Sequence, residues 1–402
     1  MSAITNGIHH VPDSANTSTS TSSSPTTSRP PSPVTADSLS AFTAHLQPVP
    51  DRFPPPPPGV SQLIVLGSGS SSGVPRAACI LTDTITCRTC ALAMQGRPED
   101  NRNWRSNPSL LIHYYQPSTS DYRNVQIDAG KTFRETMLRW YPRYGIHGLH
   151  ALFLSHEHAD AAYGLDDLRS LQKFNERTGL PLTPPIPIYL SPHSMQSIEQ
   201  RFSYLVDRLL SSSTIRRVAQ LEWHVRQTGE EVQPAGIDGL SVRLLDVAHG
   251  PDYTAWGFSL QGGHVVYISD VSKVTEETDL YLMSLQHDHT AADGSSRHCP
   301  SCALDPSTAS SASASVASSS PSSSIHLLII DSLFVERRHP THFCVSEAVD
   351  AVRRYRPHRA LLIGLSDDVE YNKVSARLQQ LRETEGLIVD LTYDGQSVNV
   401  QL

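Results

Sequence analysis

Lysine is scarce in this chain of 402 residues: only Lys131, Lys173, Lys273 and Lys373 occur, and acidic groups outnumber basic ones to give a formal net charge of -8. No polybasic face can be drawn from such a sequence, so a nucleic acid held through its phosphates is not expected as a partner. Long apolar runs are missing too. No stretch reaches about 18 apolar residues, the length a membrane-spanning helix needs, and no membrane association is expected. No secretory signal is evident at the N-terminus, which makes the cytoplasm the expected compartment and leaves the nucleus open. The six cysteines, Cys79, Cys87, Cys90, Cys299, Cys302 and Cys344, are then expected as thiols or metal ligands and not as a disulfide framework. Oligomerisation is left open by the sequence.

Two stretches lack the apolar content needed to offset the entropy of ordering. Residues 1–58, with SANTSTSTSSSPTTSRPPSP and the run PPPPP, form one, and the Ser-rich tract at about 287–324 forms the other. Both are expected to be disordered, the proline run serving as a plain linker. The remainder, about residues 59–402, is the size of one domain with one core.

Within it, apolar and β-branched runs alternate with helical patterns. SQLIVLG, SLLIHYY, VQI, LHALFLS, IPIYL, LSVRLLDVA, TAWGFSLQ, HVVYIS, IHLLIID and ALLIGL read as strands. Helices are expected from about Lys131 to Trp140, through GLDDLRSLQKFNER, over MQSIEQRFSYLVDRLL, after His342, and over NKVSARLQQLRE. The last stretch, LIVDLTYDGQSVNVQL, suggests a hairpin turned by Asp394-Gly395.

Chemistry concentrates at strand ends. His156, His158 and Asp160 form an H-x-H-x-D cluster directly after LHALFLS, in a loop that can hold two imidazoles and a carboxylate around one point. Those are the ligands a catalytic zinc takes while keeping a position open for water. His249 follows the strand LSVRLLDVA, Asp270 follows HVVYIS, and His342 lies in HPTHF just after the strand ending at Asp331. Placement of His and Asp at the carboxyl ends of strands is how α/β folds assemble active sites. Asp128, ending the strand VQI, reads as a carboxylate supporting the ligands from behind.

The order LGSGSSSGVPR, a cysteine group, IDAG, the H-x-H-x-D loop with GLDDLR, then VAHG, YISD, DSL, HPTHF and LLIGLS resembles a metallo-β-lactamase-fold hydrolase. It is most similar to the branch of the phosphonate-pathway cyclic-phosphate phosphodiesterase, over roughly residues 62 to 371. The resemblance implies an α/β fold, the αββα sandwich. It implies a first metal position held by His156, His158 and His249, with Asp270 bridging towards a second that also uses Asp160. Two ligands of that second position are replaced here by Ala161 and Gly364. One tight active-site Zn2+ is therefore expected, with a weak second site suited to a hard cation such as Mn2+. Asp160 is expected to hold or deprotonate the attacking water and His342 to protonate the leaving group. The implied activity is hydrolysis of a small cyclic or nucleotide-like phosphodiester by metal-activated hydroxide. Thioester or lactone hydrolysis, or a metal-binding scaffold without turnover, stay open.

Cys87-Arg-Thr-Cys90 is a C-x-x-C, and with Cys79 it resembles the same family's structural zinc loop, the fourth ligand falling at Asp367. Cys299 and Cys302, beside His287, His289 and His298, lie in the Ser-rich tract and are read as adventitious. Cys344 is expected to pack against the core. Arg169 is read as paired with Asp166 or Asp167, and Gly67, Gly69 and Gly73 as allowing the turn into the cysteine loop.

Overall fold

The computed structural model describes residues 46, 48–179, 181–206, 218–286 and 325–402. Its strands are β1 (Ser61–Gly67), β2 (Ser109–Gln116), β3 (Asp121–Ile127), β4 (Ala151–Phe153), β5 (Ile186–Leu190), β6 (Leu221–Val225), β7 (Glu231–Val232) and β8 (Val242–Ala248). They continue with β9 (Thr254–Leu260), β10 (Val265–Ile268), β11 (Lys273–Val274), β12 (Leu327–Asp331), β13 (Arg359–Ile363), β14 (Val389–Leu391) and β15 (Gln396–Val400). The longer helices are α1 (Phe133–Tyr144), α2 (Pro192–Arg201), α3 (Glu276–Ser284), α4 (Val345–Tyr355) and α5 (Tyr371–Glu385). One sheet runs β15-β1-β2-β3-β4-β5-β6; the other runs β11-β8-β9-β10-β12-β13-β14, with β7 paired to β8.

The period of two in the strands decides how these sheets stack. Leu63 and Val65 of β1 point into an apolar cluster shared with Val265, Tyr267, Leu327 and Ile329 of the other sheet. Ile64 and Leu66 point the opposite way, onto Phe133, Met137 and Trp140 of α1 and Ile198 of α2. The second sheet does the same: Val266, Ile268, Leu328 and Ile330 turn outward onto α3, α4 and α5 through Leu282, Val349, Val352 and Leu378. Each central strand is thus apolar on both faces, which is why these segments read as unbroken hydrophobic runs. The result is the expected αββα sandwich.

Several local expectations are corrected. GLDDLRSLQKFNER is not a continuous helix: Leu165–Leu171 is one 3-10 segment that stops at Gln172. The Gln172 amide exchanges two hydrogen bonds with the backbone of Gln220, and the Asn175 side chain accepts from the N–H groups of Arg177 and Thr178. Local side-chain acceptors of this kind displace helical bonds. The helix over residues 195–210 ends at Arg201 and resumes only over Ser203–Val206, while residues 207–210 lie outside the described residues. β6, β7 and β11 had no clear signal in the sequence.

The expected C-terminal hairpin does not form either. β14 pairs in parallel with β13 in one sheet, and β15 pairs antiparallel with β1 in the other. Between them the buried Asp394 carboxylate accepts from Ser68 N and Oγ and from Ser106 N, all at 2.8 Å. It pins the crossing from sheet to sheet.

The N-terminal boundary also moves. Phe53 stacks on Tyr144 with ring centroids 4.5 Å apart, and its N–H donates to Arg143 O. Ordered chain therefore begins before residue 59. Residues 1–45 and 47, and the tract at 287–324 with Cys299 and Cys302, lie outside the described residues.

Removing the Asp394 carboxylate would leave three donors without their acceptor in a buried turn. Asp394→Ala should lower unfolding free energy by about 2–4 kcal/mol, on the scale of lost buried hydrogen bonds. Urea denaturation measures this, and a change below about 0.5 kcal/mol would remove Asp394 as the anchor of the crossing.

Candidate metal centre

The parallel relation of β3 to β4 and of β10 to β12 puts the C-terminal ends of these strands on common sheet edges. Asp128 follows β3, Ser155 and His156 follow β4, His249 follows β8, Asp270 follows β10, and Asp331 ends β12. The loops from the two sheets are tied directly, since Trp256 N donates to Ser155 O at 2.9 Å. Six sequence-predicted groups converge here, His156, His158, Asp160, His249, Asp270 and His342.

His156 is buried and its orientation is set from behind. Asp128 accepts Ser155 N at 2.7 Å and Ser155 Oγ at 2.8 Å, and the same hydroxyl lies 2.8 Å from His156 Nδ1. With the hydroxyl proton given to Asp128, its lone pair takes Nδ1–H, and Nε2 carries the free lone pair. That Nε2 is buried without any hydrogen-bond partner. Burial, with His249 and His158 nearby, lowers the imidazole to about 4 and keeps it neutral. An orphaned, neutral, buried nitrogen is the state a metal ligand requires.

His249 is oriented as firmly. Its Nδ1 lies 2.8 Å from Thr341 O, which only accepts, so Nδ1 carries the proton and Nε2 is left to bind. His158, at the entrance of a short helix over Ala159–Ala162, stacks against Tyr253 at 4.9 Å and 8°. One ligand atom from each of His156, His158 and His249 lies within 4.8 Å of the others.

A second triad is made of His249, Asp270 and His342, within the same limit. His342 Nδ1 sits 2.8 Å from Asp331 Oδ2 and 4.0 Å from Asp270 Oδ1. Burial alone would lower His342, but Asp331 and Asp270 outweigh it and raise the imidazole to about 9. For Asp270 burial opposes ionisation, yet His156, His249 and His342 together hold the carboxyl down at about 2. Asp331, fully buried, is raised to about 6. Gly364 stands with φ +77°, and a Cβ there would meet Asp331 Oδ1 at 2.5 Å. A side chain at this position would crowd the Asp331 carboxylate, whose other oxygen holds His342. The second triad draws on His342 where the sequence pointed to Asp160.

Asp160 joins neither triad among the described residues. It is buried beside Gly130, whose Cα approaches the Asp160 carbonyl so closely that a Cβ would lie 1.8 Å from it. Burial and Asp270 raise its carboxyl above the usual range. Its side chain lines a cleft of about 660 Å3 together with His158, His249, His342, Tyr253 and Arg201. Arg201 lies far from the motifs in sequence; Tyr253 closely follows His249 but is not a metal-ligand type, and neither carried a signal. Glu157 was missed as well: it is buried between the two histidines and binds Ser194 Oγ at 3.1 Å and His193 Nε2 at 3.3 Å. Arg169 pairs with Asp166 at 3.1 Å, as read from the sequence.

Cys79, Cys87, Cys90 and Asp367 form the remaining cluster, again within 4.8 Å. Cys79 and Cys87 Sγ each lie 3.5 Å from Asp367 Oδ2, and Cys87 accepts from Cys90 N at 3.4 Å. A hydrogen bond from Cys90 lowers Cys87 to about 7, whereas burial raises Cys79. Arg76 bonds Asp367 at 3.1 Å and balances its charge. Three sulfurs and a carboxylate oxygen are a donor set that zinc accepts. Cys344 is buried, as expected, and stands at the start of α4.

Comparisons with known proteins agree on the architecture. Residues 123–295 match the model of a beta-lactamase superfamily domain. A diphosphatase from the PhnP family superposes with a TM-score of 0.58 at 22% identity, covering 85% of this chain and 97% of that one. The Zn2+-bound PqqB from Methylobacterium extorquens superposes with a TM-score of 0.51 at 17% identity, over 84% of this chain and 100% of that one. A curated relative, an octanoyltransferase of Porphyromonas gingivalis, is 24% identical over 304 residues, 75% of this chain but only 45% of the relative's length.

If Ser155 transmits the hold of Asp128 to His156, Ser155→Ala should weaken metal binding at this site about 10- to 100-fold, the usual effect of losing a partner behind a ligand. Competition with a chromogenic chelator gives the affinity. An unchanged value would show that His156 is held by packing alone.

Proposed function

We propose that this chain, whose fold is that of the metallo-β-lactamases, is a metal-dependent hydrolase acting on a phosphodiester, a small cyclic or nucleotide-like phosphate. The observation that carries this reading is the convergence of His156, His158 and His249 with the His156 Nε2 left buried and unpartnered. The likeness to a diphosphatase of the PhnP family supports the phosphate class.

His156, His158 and His249 would hold the ion, for which zinc is our choice. When bound, it supplies a water of pKa about 7 and polarises a phosphoryl oxygen. His249 has committed Nδ1 to Thr341 O, so it has one nitrogen for two triads. Only one of the two can use it at a time. We therefore expect one tight active-site ion, with Asp270 adjoining it and a second, Mn2+-type ion held weakly.

The remaining roles belong to the chain. Asp160, on the cleft wall, orients the attacking water and receives its proton. His342, held through Nδ1 by Asp331, delivers a proton to the departing oxygen. Cys79, Cys87, Cys90 and Asp367 would hold a structural zinc that links the cysteine loop to the turn before α5.

Two measurements test this. Asp160→Asn should cut turnover by about 10^2 to 10^4 while zinc stays bound. His342→Ala should lose far more activity on an alkyl phosphodiester than on a nitrophenyl ester, whose leaving group departs without a proton. Equal losses on both would remove His342 from the acid role, and full activity in Asp160→Asn would sink the mechanism. Separately, elemental analysis of a Cys87→Ser, Cys90→Ser variant should find one tightly held ion per chain. Two tight ions would contradict the competition for His249.

A further inference from the structure

The cleft above the metal centre is lined by the acidic residues Glu157 and Asp160, and Asp270 lies close to the histidines His249 and His342. Among the described lining residues one side chain is permanently cationic, and it is Arg201. Arg201 is the last residue of α2, where a basic side chain would ordinarily turn back to its own helix's carbonyls. Instead its Nη1 donates to the backbone carbonyl of Glu157, the residue between His156 and His158, at 3.1 Å. Glu157 also holds the start of α2 through His193 and Ser194. The helix is thus fastened to the metal loop at both ends, which sets the guanidinium beside the metal histidines. One N–H of five is used by Glu157, and Arg201 has no ion pair among the described residues.

We infer that Arg201 is the anion-recognising residue of this cleft and takes a non-bridging phosphoryl oxygen of the substrate, with Glu157 as its positioning residue. The inference rests on the phosphodiester reading and deepens it. A phosphodiester carries two non-bridging oxygens and one negative charge, so one oxygen can face the metal while the other meets the guanidinium in a charge-assisted bond. An uncharged ester offers nothing equivalent.

Zinc-supplied full-length protein should be compared with Arg201→Ala and Arg201→Lys. Arg201 is exposed, so neither change should alter thermal melting. For bis(4-nitrophenyl) phosphate, Arg201→Ala should raise KM about tenfold or more, the scale of a lost charge-assisted bond, with a smaller change in kcat. Arg201→Lys should recover part of the loss. Turnover of 4-nitrophenyl acetate, an uncharged substrate, should stay within about twofold of wild type if Arg201 reads charge. Calorimetric titration with inorganic phosphate should show affinity weakened to the same degree in Arg201→Ala, and this readout needs no catalysis. If wild type fails to cleave the diester while phosphate affinity still depends on Arg201, the phosphodiester reading fails and the anion site stands. Unchanged KM and unchanged phosphate affinity in Arg201→Ala would overturn the inference, as would an equal loss on the acetate ester.

Discussion

Ser155 is the residue on which the rest of the site depends, because three separate parts of the molecule meet at its few polar atoms. Its carbonyl accepts from Trp256 in the facing sheet, its N–H and hydroxyl reach Asp128 at the end of β3, and the hydroxyl orients His156. The two sheets pack through apolar side chains, which are nearly indifferent to small sliding. A directional bond between the sheets at the edge where the ligands emerge removes that freedom. Ligand atoms must be held to within a few tenths of an ångström for a metal, and packing alone does not supply such precision.

A second constraint is electrostatic. Asp128, Asp160, Asp270 and Asp331 are all buried near one another. Burial raises Asp128, Asp160 and Asp331, while only Asp270, ringed by three histidines, is held low. Such an accumulation costs stability unless a cation offsets it. A divalent ion held by His156, His158 and His249, as proposed, would provide that offset, and the His342–Asp331 pair provides another. The need for compensation and the proposed hydrolysis rest on the same arrangement.

Much of this was legible in the residues. The H-x-H-x-D cluster after a strand, His249, Asp270 and His342 at later strand ends, and the three cysteines with Asp367 were all identifiable by residue type and position, and the structure gathers His156, His158, His249, Asp270 and His342 into two triads and the cysteines with Asp367 into a third cluster. What could not be read was how neighbours in space share a ligand. The substitution at Gly364 reads as a lost donor in sequence. In the fold it leaves room for the Asp331 carboxylate, whose other oxygen holds His342. Glu157, Tyr253 and Arg201 gave no signal because their roles depend on contacts between segments distant in the chain.

By itself the sequence determined the fold class, the strand ends that carry chemistry and the residue types available for metal binding. The strand ends and residue types follow from local periodicity and side-chain chemistry, and the fold class from the resemblance that the order of motifs carries; none needs knowledge of contacts. Only the tertiary structure decided where the last strand pairs, since a buried Asp394 sends it across to the other sheet in place of a local turn. It also decided which side chains lie close enough to share one ion, that Asp160 lines the cleft without joining either triad among the described residues, and that Arg201 reaches the cleft. The physical reason is the same in each case: hydrogen bonds and charges act at about 3 Å, and distances of that order between remote segments exist only once the two sheets have packed.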